Sequence, residues 1–197
     1  MFGKNRLEAF SDGVLAIIIT IMVLELKAPH QADIASIVDL TPKFLSYVLS
    51  FIYVGLYWNN HHHMFHMVQK VTGKILWANT HLLFWLSLIP FSTSWMGETH
   101  FSFMATIIYG VVLLMSAIAY FILQHIIIQS QGKQSKLKAV VGKDMKGKIS
   151  VILYLCGLAF GILNPYMAIA FYASVAVLWF IPDKRIERAA QLSEQET

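Results

Sequence analysis

An arginine, a serine and an aspartate stand at the entrance of a long apolar segment near the N-terminus. Arg6, Ser11 and Asp12 precede the run Val14–Leu24, which contains no ionisable residue. Ionisable groups are costly in hydrocarbon, so such residues usually face a protein interior or a water-filled path. The first apolar helix is therefore the predicted centre of function.

Two local structures are compatible with these polar residues. In the first, Ser11 or Asp12 caps a helix that begins at Gly13, which leaves only about 15 residues up to Lys27, too few to span a bilayer comfortably. In the second, which we favour, the helix begins before Arg6 and carries the polar groups inside. Arg6 and Asp12 would then form a charge pair with hydrogen-bond partners on neighbouring helices, because a buried charge without partners is strongly destabilising.

A second polar group consists of four histidines within six residues: His61, His62, His63 and His66. The i, i+4 spacing of His62 and His66 suits a pair of metal ligands on one helical face, and histidine titrates near neutral pH. These residues support an alternative function, a proton-coupled or metal-ion transporter. However, neither an acidic residue nor a cysteine lies nearby, and we expect no metal site. The apolar segments after the first also lack the carboxylates that coupled transport normally uses.

The composition indicates a protein whose main solvent is lipid. The chain has 197 residues, of which 57% are hydrophobic and 13% are charged, about half the usual charged share. The single Cys156 lies in an apolar run, which excludes a disulfide framework. The net charge of +4 comes from lysines and arginines in connecting segments, so nucleic acid is not a predicted partner. Serine and histidine recur at no catalytic spacing, and we predict no enzyme and no cofactor.

Long apolar runs predict an all-α integral membrane protein with six transmembrane helices that form one domain over residues 1–197. The predicted spans cover about 5–28, 42–67, 74–95, 101–129, 149–163 and 165–181, with a basic linker at 131–148 and a polar tail at 187–197. Pro42 is expected in the first turn of the second helix, and Pro90 is expected to kink the third. The last two segments are short, and either two spans, which we favour, or one re-entrant hairpin fits them.

The distribution of basic residues predicts the orientation of the chain. With six spans, 13 of the 15 lysines and arginines lie on one side, and only Lys27 and Lys43 lie on the other. The positive-inside rule therefore places both termini in the cytoplasm. A single set of spans without a targeting segment suits the plasma membrane of a bacterium.

The first helix carries an apolar stripe. At 100° per residue, Phe10, Gly13, Ile17, Ile21 and Leu24 cluster on one face. Packing against neighbouring helices is one interpretation, and periodicity alone favours it. In the other, the aliphatic side chains line a narrow pore and restrict ion flow by excluding water, while Gly13 permits the close approach of another backbone.

The residues around this helix resemble the signature of the lysosomal potassium channel family and its bacterial homologues. The resemblance rests first on Arg6-x-x-x-Phe10-Ser11-Asp12-Gly13 at the opening of the first span. Matches on the second and third spans agree with it: Trp58-x-x-His61, Asn79 and Leu88-Ile89-Pro90-Phe91. Spans four to six contribute no such motif.

The resemblance implies a passive potassium-permeable cation channel in which the first helices of a homotetramer surround a central pore. The constriction would be built from aliphatic side chains, and the resemblance maps it onto Ile17, Ile21 and Leu24, with the Thr20 hydroxyl available to replace part of an ion's hydration shell. A network behind the pore helix would fix its orientation. By resemblance, its members are Arg6, Phe10, Ser11, Asp12, Trp58, His61 and Asn79.

Overall fold

The computed structural model describes residues 3–29, 31–132, 135–142 and 144–181, which form helices joined by short connections, with no β-strand in these ranges. The helices are α1 (Lys4–Leu24), α2 (Ile34–His66), α3 (Gly73–Ser87), α4 (Ile89–Glu98), α5 (Phe103–Gln131), α6 (Lys136–Val141), α7 (Met145–Gly161) and α8 (Pro165–Phe180). In the described part of the chain, four stretches are long and apolar enough to cross a membrane: α1, α2, α3 with α4, and α5. The prediction of an all-α protein with several membrane-competent helices is confirmed.

The start of α1 decides between the two local structures considered for the N-terminal segment. The helix begins at Lys4, and Gly3 occupies the N-cap position. Ser11 and Asp12 therefore lie within the helix, and the structure in which one of them caps it is wrong. Consequently, all the polar residues of this segment project from the sides of a continuous helix of 21 residues.

The start of α2 differs from the prediction. The helix begins at Ile34, so Pro42 lies inside it and not in its first turn. The Asp33 side chain caps this early start by accepting a hydrogen bond from the Ser36 N–H at 2.8 Å, and hydrogen bonding from Ser36 lowers the pKa of Asp33. Pro42 removes one backbone donor from the helix interior. The resulting helix of 33 residues is about 50 Å long, more than a bilayer requires.

The third predicted span is divided at Leu88 into α3 and α4. The predicted disturbance near Pro90 is thus present as a break two residues earlier, at Leu88. Pro90 itself stands in the first turn of α4, where its missing N–H leaves no helical hydrogen bond unmade. At the break, the Leu88 N–H donates to the carbonyl three residues earlier, that of Trp85, at 3.2 Å, whereas an α-helix would use the carbonyl four residues earlier.

The basic linker contains structure that its lysines did not predict. The short helix α6 turns Leu137 and Val140 inward, and both side chains are buried. Ser135 caps this helix by accepting a hydrogen bond from the Lys138 N–H at 3.2 Å. The predicted polar tail, 187–197, lies outside the described residues.

The helices pack around two clusters of buried side chains. The first cluster joins α1 to α2 and α3 and includes Leu15, Ile18 and Leu82. The second joins α2, α5, α7 and α8 and is rich in buried tyrosines, among them Tyr53 and Tyr172. α1 packs mainly against α2, α3 and α4, whereas α7 packs against α5 and α8. α1 and the α7–α8 pair therefore lie on different sides of the bundle.

Tyr172 on α8 fits into a slot made by two glycines. A Cβ atom at Gly157 of α7 would lie 2.5 Å from Cε1 of Tyr172, and one at Gly110 of α5 would overlap the Tyr172 hydroxyl. Gly157→Ala is therefore expected to lower the free energy of unfolding by about 1–3 kcal/mol, the usual cost of overpacking. Thermal unfolding of the purified protein measures this change.

The matched control is Gly55→Ala on α2, where an added Cβ meets no atom within 4 Å. Alanine is the better helix former by about 1 kcal/mol, so this variant should be as stable as the parent or more so. Equal stability of the two variants would show that Tyr172 does not require the glycine slot.

Candidate functional site

One face of α1 is packed against the rest of the chain. Its buried residues are Leu7, Ser11, Leu15, Ile18 and Met22. They lie within about 80° of one another on a helical projection at 100° per residue. This face holds α1 against the bundle and therefore determines which side chains are turned away from it.

The face turned away is the apolar stripe of the sequence. Phe10, Ile17, Ile21 and Leu24 are 59%, 59%, 44% and 70% exposed, and Gly13 has no atom within 4 Å of the position of a Cβ. The centre of this stripe lies about 120° around the helix from the centre of the buried face. Within the chain, most of the stripe is thus left uncovered by neighbouring helices, although Ile21 also lines a cavity beside α4.

Thr20 lies beside this stripe and is exposed. Its hydroxyl donates to the Ala16 carbonyl one turn earlier, at 2.8 Å. Because the hydroxyl proton is used in that bond, the lone pairs of the oxygen are directed away from the helix backbone. Such an oxygen is a suitable ligand for a cation that passes along the exposed face of α1.

A chain of three buried polar side chains joins α1, α2 and α3 behind the stripe. The Asn79 Nδ2 donates to Ser11 Oγ at 2.9 Å, and the Ser11 hydroxyl in turn donates to the Leu7 carbonyl at 2.8 Å. Asn79 Oδ1 lies 2.8 Å from His61 Nε2. At most 2% of each of these three side chains is exposed.

The geometry assigns the proton of His61. Since the amide nitrogen of Asn79 donates to Ser11, its oxygen must be the acceptor, and His61 Nε2 carries the hydrogen. The imidazole ring also stacks on Phe65, with ring centroids 4.3 Å apart. Phe65 was not selected from the sequence, although its i, i+4 spacing from His61 was a usable signal.

Asp12 and Trp58 form a second link between α1 and α2. The indole Nε1 of Trp58 donates to Asp12 Oδ1 at 3.1 Å, and both residues are exposed. Trp58 also stacks against His62, with a centroid separation of 6.0 Å. This link lies at the surface of the single chain, in contrast to the buried chain of Ser11, Asn79 and His61.

The predicted pair of Arg6 and Asp12 does not form within the chain. The ion pair present among the described residues is Lys43–Glu98, at 3.3 Å. Six helical residues separate Arg6 from Asp12, which corresponds to about 9 Å along the axis and about 120° around it. Arg6 and Phe10 are exposed and lie on the side of the stripe, so the structure does not bring them into contact with the network.

The histidines of α2 do not converge. His61 faces Asn79 inside the bundle, whereas His62 and His66 are exposed. In the part of the chain that the structure describes, no group of three histidine, cysteine or carboxylate side chains is arranged to hold a metal ion. No observation here favours the alternative of a metal-ion transporter.

Comparisons with known proteins identify the relatives of this chain. The sequence model of the family described as endosomal/lysosomal potassium channel TMEM175 matches residues 6–90. A potassium channel of Chryseobacterium sp. (strain P1-3) is 58% identical over 186 residues, which are 94% of this chain and 97% of the relative. The chain belongs to the TMEM175 family.

Two further relatives extend the comparison. The endosomal/lysosomal proton channel TMEM175 of Homo sapiens is 36% identical over 100 residues, 45% of this chain and 20% of the human protein. The crystal structure of a lysosomal potassium-selective channel TMEM175 homologue from Chamaesiphon minutus superposes with a TM-score of 0.78 at 26% identity, covering 90% of this chain and 96% of that one.

Membership of this family confirms the resemblance stated from the sequence. The family and its relatives are named as channels, so the prediction that the chain is not an enzyme is also confirmed. Together with the four membrane-competent stretches, the family makes this chain a multi-pass membrane protein.

Proposed function

We propose that the chain is one subunit of a potassium-permeable cation channel, and that the exposed stripe of α1 lines its central pore. The observation that carries this proposal is the exposure of Ile17, Ile21 and Leu24, three aliphatic side chains on one face of α1. Relatives named as potassium channels support potassium as the permeant ion.

The physical action of the stripe is to form a hydrophobic constriction. When the same residues of several subunits surround an axis, their side chains make rings that exclude bulk water and narrow the path. The Thr20 oxygen then replaces part of the hydration shell of the ion. A tenfold preference between potassium and sodium requires only about 1.4 kcal/mol, a difference that one ring of hydroxyl oxygens is able to supply.

The subunit arrangement that suits this pore is a homotetramer. Closed cyclic symmetry places the same face of every subunit at the axis, so four copies of the α1 stripe face one another. The stripe contains Gly13, which lets the helices approach closely at that level. In a tetramer, the apolar surface left uncovered in the single chain becomes the wall of the pore and part of the subunit contact.

Six spans with both termini in the cytoplasm agree with the contacts at the two ends of the bundle. At the proposed cytoplasmic end, Lys4 Nζ donates to the His66 carbonyl at 3.0 Å. At the proposed outer end, Lys43 pairs with Glu98, and the Ser94 hydroxyl donates to Glu25 at 3.0 Å.

The lengths of the helices support the same topology. α7 and α8 have 17 and 16 residues, close to the lower limit for a span. The part of α2 before Lys43 then projects beyond the bilayer, which accounts for its excess length. We further propose that this single six-span domain lies in the plasma membrane.

The buried chain of Ser11, Asn79 and His61 gives α1 its rotation about its own axis. Any other rotation would separate Ser11 from Asn79 and leave polar groups without partners inside the bundle. We assign Asp12 and Trp58 the same supporting role at the surface.

The test is cation flux into liposomes that contain the purified protein, driven by a potassium gradient alone. The proposal predicts potassium flux without any added proton or metal gradient and a smaller sodium flux under a matched sodium gradient. The triple variant His62→Gln, His63→Gln, His66→Gln should conduct like the parent. Flux that requires a proton or metal gradient and disappears in this variant would instead establish a coupled transporter.

A further inference from the structure

A cavity of about 390 Å³ lies between α2, α5, α7 and α8. It is a candidate binding site on the side of the bundle away from α1. Most of its lining is apolar, contributed by Leu56, Tyr57, Ala117, Phe121, Val151 and Ile152. Its volume falls in the range that holds small apolar or amphipathic ligands.

The cavity opens on the outer surface of the bundle. Phe121 and Ile152, which line it, are 50% and 59% exposed. α7 does not pack against α1 to any substantial extent, so in a channel with α1 at the axis this opening faces away from the pore. In a membrane, the component that reaches such an opening is the hydrocarbon chain of a lipid.

One end of the cavity is polar, with one lysine in its lining and a second near the lining residue Trp179. Lys148 lines the cavity, and Lys146 Nζ lies 6.0 Å from the ring centroid of Trp179, another lining residue. The ammonium group of Lys146 also donates to the Ile181 carbonyl at 2.7 Å. Asp144 is the acidic residue of this end, and its carboxylate accepts a hydrogen bond from the Gly147 N–H at 3.2 Å.

We propose that this cavity binds an anionic phospholipid, with an acyl chain between α5 and α7 and the phosphate at Lys146 and Lys148. Basic pockets between helices on the cytoplasmic side of a membrane recognise lipid head groups in this way. The site takes no part in ion conduction, but its exposure to lipid rests on the proposed place of α1 at the pore axis, and the choice of the inner leaflet rests on the proposed topology.

Native mass spectrometry of the purified full-length protein tests the proposal, with phosphatidylglycerol and phosphatidylcholine of identical acyl chains as probes. The parent should bind phosphatidylglycerol more tightly. Lys146→Gln and Lys148→Gln should each weaken that binding about fivefold, since one lysine near an anionic head group contributes about 1 kcal/mol. Binding of phosphatidylcholine should change much less.

Two further variants separate this site from general attraction to the surface. Ile152→Trp places a large side chain at the rim of the cavity and should weaken the binding of both lipids. Lys74→Gln removes an exposed lysine at the start of α3, away from the cavity, and should leave both affinities unchanged.

Three results would overturn the proposal. The first is equal affinity of the parent for the two lipids. The second is an equal loss of phosphatidylglycerol affinity in Lys74→Gln and Lys148→Gln. The third is an unchanged affinity of Ile152→Trp for both lipids. Because lipid binding is measured without ion flux, failure here leaves the proposed channel function standing, and failure of flux leaves this site standing.

Discussion

Replacing Ile17, Ile21 or Leu24 by alanine is expected to raise the conductance of the channel or to lower its preference for potassium over sodium. Each change removes several methyl or methylene groups from a ring that closes the pore, so the path becomes wider and easier to wet. A loss of up to tenfold in the potassium-to-sodium permeability ratio corresponds to about 1.4 kcal/mol. Single-channel recording in lipid bilayers measures both quantities.

The matched control for this series is Val23→Ala. Val23 is also an exposed aliphatic residue of α1, at 46%, but it lies about 100° around the helix from Leu24. Truncation to alanine at this position, which removes two carbon atoms where the stripe variants lose three, should leave conductance and selectivity at the parent values. Parent-like channels in all three stripe variants would remove α1 from the wall of the pore.

Asn79→Ala is expected to cause the largest loss of stability of any single change in the supporting network. It leaves the buried His61 Nε2–H without an acceptor, at a cost of about 1–3 kcal/mol. It also removes the Asn79 donor to Ser11 Oγ, whose hydroxyl keeps its bond to the Leu7 carbonyl. For a chain of this length, a total of about 3 kcal/mol lowers the melting temperature by about 6–12 °C. Thermal unfolding of the purified protein in detergent provides the measurement.

The neighbouring residue offers the control for this change. Thr80 on α3 is exposed, and its hydroxyl bonds only to the Leu76 carbonyl of its own helix, at 3.0 Å. Thr80→Ala should therefore be nearly neutral. In addition, Ser11→Ala should lower the free energy of unfolding by less in the Asn79→Ala background than in the parent, because the two side chains are directly coupled. Additive losses would show that Ser11 and Asn79 act separately.

Most of the helical architecture was predictable because apolar runs of membrane length are a strong signal. The boundaries that failed depend on single side chains. The Asp33 carboxylate allows α2 to begin before Pro42, and no apolar pattern reports such a cap. The inward face of α6, with Leu137 and Val140, was concealed by the surrounding lysines, whose number alone predicts a solvated linker.

The candidate site was predictable in its membership but not in its contacts. Helical periodicity placed Ile17, Ile21 and Leu24 on one face, yet every face of α1 is apolar, so the sequence did not reveal which face the bundle covers. Asp12 was expected to pair with Arg6 and instead accepts a hydrogen bond from Trp58. Opposite charge suggested that Arg6 was the partner of Asp12. In the helix, however, the two residues are rotated by about 120° from each other, and they do not form a pair within the chain.

The most direct test of the pore assignment is the accessibility of single cysteines on α1 to a water-soluble, cationic thiol reagent. In a Cys156→Ser background, Leu24→Cys and Val23→Cys are compared, because both native side chains are exposed in the single chain. The account predicts that the reagent blocks potassium flux through Leu24→Cys channels and leaves Val23→Cys channels conducting. Block at Val23→Cys with none at Leu24→Cys would contradict it and place the pore on another face of the helix.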